Sequence, residues 1–192
     1  MKEYGDEGFI HYLREELENA RNQDIQKGSV WMGGEEMLFS EREIIKKKLW
    51  MWLPADFKHL DEEIVCQKYP GENRPDIIYT SEDTTVNVCF SYQQPIMADG
   101  RIKEFCDGME QAVRNLFTDE SILDRKPLQM DEIEAECLAF ETPAADAQIY
   151  NRMIFMSLEG RLLIVTCNCL AYYRDDWEEL FEQMIASIRK EQ

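Results

Sequence analysis

Long apolar runs are missing from this chain. No segment approaches 18 uninterrupted apolar residues, which excludes the usual signature of a membrane-spanning helix. The N-terminus, M-K-E-Y-G-D-E-G-F-I, has no apolar stretch of the length a secretory signal requires, so the expectation is a soluble, cytoplasmic protein. Basic charge is scarce. Against 39 Asp and Glu stand 21 Lys and Arg, a net charge of −18, and the resulting field repels phosphate. Nucleic acid and anionic membranes are therefore excluded as general partners, while a basic protein or a cation is not.

Reactive signatures are absent too. There is no G-x-S-x-G, P-loop or G-x-G-x-x-G; G-G-E-E at 33–36 has neither the spacing nor the lysine of a phosphate loop. Histidine is limited to His11 and His59, and D-F-K-H-L around His59 places no serine or cysteine nucleophile beside it. Cys167 and Cys169 form a C-x-C pair whose thiols share one face of a strand. A tetrahedral metal site needs two further ligands that no other close pair supplies. The six cysteines, Cys66, Cys89, Cys106, Cys137, Cys167 and Cys169, read as reduced core residues. Acidic pairs at Glu35–Glu36, Asp61–Glu63 and Asp175–Asp176 read as solvated helix ends. No catalytic residue, metal or cofactor is expected, and the protein is read as a non-enzyme.

What is present describes a globular domain. At 192 residues, 44% hydrophobic and 11% aromatic, the chain can bury roughly 70% of its unfolded surface. Residues 8–22 place Ile10, Leu13, Leu17 and Ala20 at helical spacing, and the glycine-bearing stretch that follows reads as a hinge, giving an N-terminal helical extension over 1–43. The main domain is expected over 44–192. Ile44–Pro54 reads as one strand, and a short helix capped by Asp61 follows. In K-Y-P-G-E-N-R-P-D-I-I-Y-T, residues 68–80, Pro70 ends that helix, Gly71 permits a reversal and Pro75 opens an edge strand. The next strand alternates Val86, Val88, Phe90 and Tyr92, and a register with Tyr79 opposite Val86 puts both apolar sets on one face.

Residues 99–118 carry the strongest helical pattern, with Asp99 as N-cap; Pro127 marks a loop, and 133–142 reads as a strand. Strands 149–158 and 161–170 flank Glu159-Gly160, a two-residue turn that sets Ile154 against Val165, Phe155 against Ile164 and Arg152 against Cys167. The last helix aligns Trp177, Leu180, Phe181, Met184, Ile185 and Ile188, and ends on Arg189 and Lys190. The fold class expected is α+β: an α/β/α sandwich around a central antiparallel sheet of about six strands.

The W-L-P-A-D-F segment at 52–57, the 68–80 segment, the 86–90 strand, the Glu159-Gly160 hairpin and the closing amphipathic helix resemble the PsbP-like superfamily. That group includes a photosystem extrinsic protein, a Ran-binding import factor, the lipoprotein DcrB and cytosolic bacterial domains. The resemblance spans about residues 44–190, and it implies the same sandwich and a role in binding other proteins rather than in catalysis. The expected function is a non-enzymatic binding module, protein-binding or chaperone-like, with a protein partner; nothing specifies an oligomeric state. The alternative is a small-molecule or divalent-cation binder whose pocket uses Trp50, Trp52 and Tyr79, with Arg74 as anchor. The Arg74 guanidinium can equally clamp a carboxylate of this chain or of a partner.

Overall fold

The computed structural model describes residues 23–69, 74–96, 101–130 and 133–190. Among them are two antiparallel sheets and three α-helices. The larger sheet has seven strands in the order β4-β5-β6-β10-β9-β8-β7: β4 Lys58–His59, β5 Ile77–Thr80, β6 Asn87–Ile96, β7 Ile122–Met130, β8 Ile133–Pro143, β9 Gln148–Leu158 and β10 Arg161–Leu170. The smaller has four strands in the order β1-β2-β3-β11: β1 Ser29–Met32, β2 Glu35–Ile45, β3 Leu49–Pro54 and β11 Arg189–Lys190. Helix α1 is Glu62–Lys68, α2 Ile102–Leu116 and α3 Arg174–Ala186.

Strands β8, β9 and β10 are apolar on both faces, so the sheet needs two covers. On one face Leu138, Phe140, Phe155, Leu162 and Ile164 meet Ile102, Cys106 and Val113 of α2. On the other, Ala135, Cys137, Ile154, Met156, Leu163, Val165 and Cys167 share a core with Trp177, Phe181, Met184 and Ile185 of α3 and with Leu49, Met51 and Leu53 of β3. The expected single sheet of about six strands between helices is thus corrected. The central sheet has seven strands, and one outer layer is divided between α3 and a second sheet.

The β9–β10 hairpin has the expected register, Ile154 against Val165 and Arg152 against Cys167. Glu159 and Gly160 turn it with φ of 52° and 73°, the left-handed pair that a type I′ turn demands. The β5–β6 hairpin differs from expectation by two residues, with Tyr79 opposite Val88 and Thr80 opposite Asn87. Its loop is longer because Asp83 accepts bonds from the Ser81 hydroxyl at 2.6 Å and the Thr85 amide at 3.1 Å, organising residues 81–86 outside the ladder. An even shift keeps every side chain on its face, so the apolar pattern survives.

Other expectations are corrected where charge or proline masked a strand. Lys46–Lys48 form a turn that splits 44–54 between β2 and β3, with Lys47 at φ 56°. Pro127 lies within β7, an edge strand where a missing N–H is tolerated. Arg189 and Lys190 leave the helix and pair with Trp50 and Leu49 as β11. Position 43/44, the division expected from the sequence, lies inside β2, whose pairing with β3 shifts register between Glu43 and Ile45, and Ile25, Val30 and Phe39 share the core of the main body. The helix read at 8–22, Pro70, Gly71 and Asp99 lie outside the described residues.

Phe155 is fully buried, with the Phe105 ring 5.8 Å away, whereas Leu116 at the end of α2 is 74% exposed. Phe155→Ala should lower unfolding free energy by about 3–5 kcal/mol in urea denaturation. Leu116→Ala should change it by less than about 0.5 kcal/mol; equal losses would contradict this placement of α2.

Candidate functional site

Inward positions of β9 read Tyr150, Arg152, Ile154, Met156 and Leu158, and Arg152 alone among them is charged. Its side chain is 3% exposed. Several kcal/mol are needed to desolvate a guanidinium, so partners must be close. Helix α3 supplies them. Its apolar stripe seats it on the sheet, and Glu178 and Glu182, one turn apart, flank that stripe on the side facing Arg152. Arg152 Nη1 donates to Glu182 Oε1, Nη2 donates to Glu178 Oε1 at 3.4 Å, and Nε donates to the Tyr150 hydroxyl at 3.1 Å.

The network extends to the sheet edge and the helix start. Lys126 Nζ on β7 donates to Glu182 Oε1 at 2.9 Å, and the Tyr150 hydroxyl donates to Glu178 Oε1 at 3.0 Å. Arg174 pairs with Glu178 at 3.3 Å and lies over the Tyr150 ring, 5.3 Å from its centre. Partial burial pushes the Glu182 carboxyl up, but hydrogen bonds from Arg152 and Lys126 outweigh it and hold the group below the usual carboxylate range. Burial also pulls Arg152 down, and its bonds to Glu182 and Tyr150 more than restore it. Burial pushes the Cys137 thiol up to about 11, so it stays protonated at neutral pH. The cluster is therefore a set of matched charges, Arg152 and Lys126 with Glu182, Arg152 and Arg174 with Glu178, and Lys126 with Asp124 at 3.8 Å.

Beside it, between α3 and β7–β8, is a cleft of about 230 Å³ lined by Lys126, Leu128, Met130, Cys137, Arg152, Glu182 and Ile185. A second concavity, about 340 Å³, lies at the other end of α3. Val30, Trp31, Met32 and Leu180 form its apolar part, and Asp175, Asp176 and Glu179 its acidic wall. Gln183 holds the two sides together, donating to the Gln23 carbonyl at 2.8 Å and accepting from the Ile25 amide at 3.0 Å. Trp31 is 63% exposed on the outer face of the β1–β2 hairpin, and Leu38 is 57% exposed on the same hairpin.

The structure brings only part of the sequence-predicted set together. Trp50 and Trp52 share one face of β3, opposite buried Leu49, Met51 and Leu53. Arg189 covers the Trp50 ring at 4.9 Å and is fixed by Glu41 at 2.7 and 2.9 Å; the Trp52 amide donates to the Ser187 hydroxyl at 2.9 Å. Tyr79 is on the other sheet, buried beneath Arg42 at 5.2 Å with the His59 ring 4.3 Å away. Arg74 is exposed ahead of β5, and its Nη1 donates to the Cys66 sulfur at 3.0 Å. Cys66 is itself exposed, unlike the other five cysteines, which are buried as the core reading expected.

Two arginines escaped the sequence reading. Arg42 donates to the carbonyls of Phe57, Pro54 and Ala55 at 2.7, 3.1 and 2.7 Å, pinning the loop after β3. Arg152 had a visible signal, a single charge on the inward phase of an otherwise apolar strand.

The backbone is similar to the solution structure of cyanobacterial PsbP (CyanoP) from Synechocystis, with a TM-score of 0.58 at 10% identity, covering 79% of this chain and 92% of that one. Other similar structures are LpqN, involved in cell envelope biogenesis of Mycobacterium tuberculosis (0.49, 8% identity, 89% of this chain and 99% of that one), and a protein of unknown function from Pseudomonas aeruginosa (0.48, 10%, 78% and 94%). At this identity the likeness to CyanoP establishes the fold, which is PsbP-like. No family model matches the sequence, and no curated protein matches it. No helix among the described residues is long and apolar enough to cross a membrane.

Glu182→Gln removes the carboxylate that Arg152 and Lys126 share. At neutral pH the loss should be about 1–2 kcal/mol, because the glutamate is partly solvated. A depressed native pKa contributes stability above the unfolded value near 4.3, and that stability fades as pH falls through the native pKa. The gap between variant and wild type should therefore close on acidification in urea titrations; a gap independent of pH would contradict the assigned role.

Proposed function

We propose that this protein is a non-enzymatic, cytoplasmic binding module that recognises a protein segment carrying both apolar and basic side chains. The observation that carries the reading is Trp31, a large aromatic open to solvent on the β1–β2 hairpin, beside an apolar floor and the Asp175–Asp176–Glu179 wall. Exposed tryptophans on such surfaces are typical anchors of interfaces, since they bury much area with little rotamer entropy. The acidic wall selects the partner's charge, in keeping with a chain of net charge −18. The PsbP-like resemblance carries the same expectation of protein binding, and five buried, reduced cysteines suit a reducing compartment.

Affinity capture from an extract of the source cells, followed by titration of the purified candidate, tests the proposal. Trp31→Ala should weaken the stoichiometric partner about 30-fold, a hot-spot loss near 2 kcal/mol, with unchanged thermal stability. Asp175→Asn with Asp176→Asn should weaken it further at low salt than at high salt. Unchanged affinity in both variants, or recovery of no stoichiometric partner, would overturn the reading.

A further inference from the structure

We propose that residues 8–22 of this chain dock as an amphipathic helix in the groove beside Trp31 and hold it until a partner displaces them. The inference rests on the reading of that groove as the binding surface and adds the control of access to it.

Three observations carry it. The first is where the segment joins the described chain. Asn22 is bonded to Gln23, and Gln23 is itself part of the groove lining. Its side chain pairs with the Trp31 backbone, accepting from the amide and donating to the carbonyl at 3.0 Å. Its own carbonyl accepts from Gln183 of α3 at 2.8 Å. The segment therefore ends at the groove, at a residue fastened to both of its sides.

The second is complementarity. On a helix Ile10, Leu13, Leu17 and Ala20 form one stripe, and Arg14 and Arg21, a multiple of two turns apart, run along one border of it. Glu16 lies on the other border, with Glu15 and Glu18 farther round. The groove offers the counterpart: Trp31, Met32 and Leu180 for the stripe, and Asp175, Asp176 and Glu179 for the arginines. Arg174, the cation next to these acids in the chain, is paired with Glu178 instead, and among the described residues no cation forms an ion pair with the three. Lengths agree as well. Arg14 to Arg21 spans about 10 Å of helix, and so does Asp176 to Gln183 on α3. Running alongside α3 from the Gln23 anchor, the segment brings Arg21 level with the Glu179 end of the wall and Arg14 level with Asp175.

The third is the tether. A segment joined directly to its site acts at an effective concentration of about 1 mM. If the free segment binds with Kd about 0.1 mM, it is about nine-tenths docked in cis, and any competitor for the groove binds about tenfold more weakly.

Nuclear Overhauser contacts between the Leu13 or Leu17 methyls and the Trp31 indole, assigned with Trp31→Phe, test the docking in the full chain, and they should be present. A free peptide of residues 8–22 then probes occupancy through the Trp31 indole resonance. Leu13→Glu with Leu17→Glu, and separately Arg14→Glu with Arg21→Glu, should each open the groove, so that the peptide binds about tenfold more tightly than it does to the unaltered chain. Contacts absent from the unaltered chain, or peptide affinity unchanged in either variant, would overturn the inference. Those results leave the groove reading standing, because the titration of the captured partner against Trp31→Ala decides that one separately. Contacts observed while partner affinity ignores Trp31→Ala would keep the docked segment and overturn the partner reading instead.

Discussion

A seven-stranded sheet with two apolar faces must be covered twice, and most of the architecture follows from that requirement. One cover is α2. The other has to span a wider area than a single helix provides, so α3 shares it with the four-stranded sheet, and residues 24–43 are drawn into the body to build that sheet. The edge strand β7 fastens both covers. Its adjacent residues Arg125 and Lys126 point to opposite faces: Arg125 reaches Asp107 and Glu110 of α2 at 2.5 and 2.7 Å, and Lys126 reaches Glu182 of α3. Such pairs add little stability when solvated, but each fixes the orientation of a helix whose apolar stripe alone would tolerate sliding.

Magnitudes separate what holds the fold from what shapes it. Fully burying a large apolar side chain contributes about 1.5–3 kcal/mol, and tens of such residues line the two cores. The Arg152 cluster works against that background. Its Coulomb attraction is largely offset by desolvation, so an apolar residue of similar volume there could leave the protein equally stable. What a buried guanidinium adds is constraint: α3 can dock only where Glu178 and Glu182 meet it.

Much of this architecture was legible in the sequence, and the parts that were not share a physical cause. The β9–β10 register could be read because a two-residue turn with glycine allows one pairing. The β5–β6 register could not, because the Asp83 hydrogen bonds that lengthen its loop leave no trace in apolar periodicity. Strand β7 was hidden by Pro127 and its charges, which mark loops in general and edge strands in particular. Trp50 and Trp52 share one face of β3, while their expected companions Tyr79 and Arg74 belong to another sheet and a different surface. The cleft draws Lys126, Cys137, Arg152 and Glu182 from four elements, and only the misplaced charge of Arg152 announced it.

The carboxylates of one helix are put to two uses, and salt separates them. The groove by Trp31 shares the sign of the whole molecule, so the overall field draws a basic segment toward it and salt weakens that attraction. On the side of α3 that faces β7 and β9 the acids are spent inside the protein: Glu178 meets Arg152 and Arg174, and Glu182 meets Arg152 and Lys126, which also lies 3.8 Å from Asp124. Contacts this short lie well inside the screening length of about 8 Å at physiological ionic strength, so salt reaches them far less than it reaches the open Asp175, Asp176 and Glu179 wall. The acids at the start of α3 thus face outward toward a partner, while those a turn further on fix the helix to the sheet.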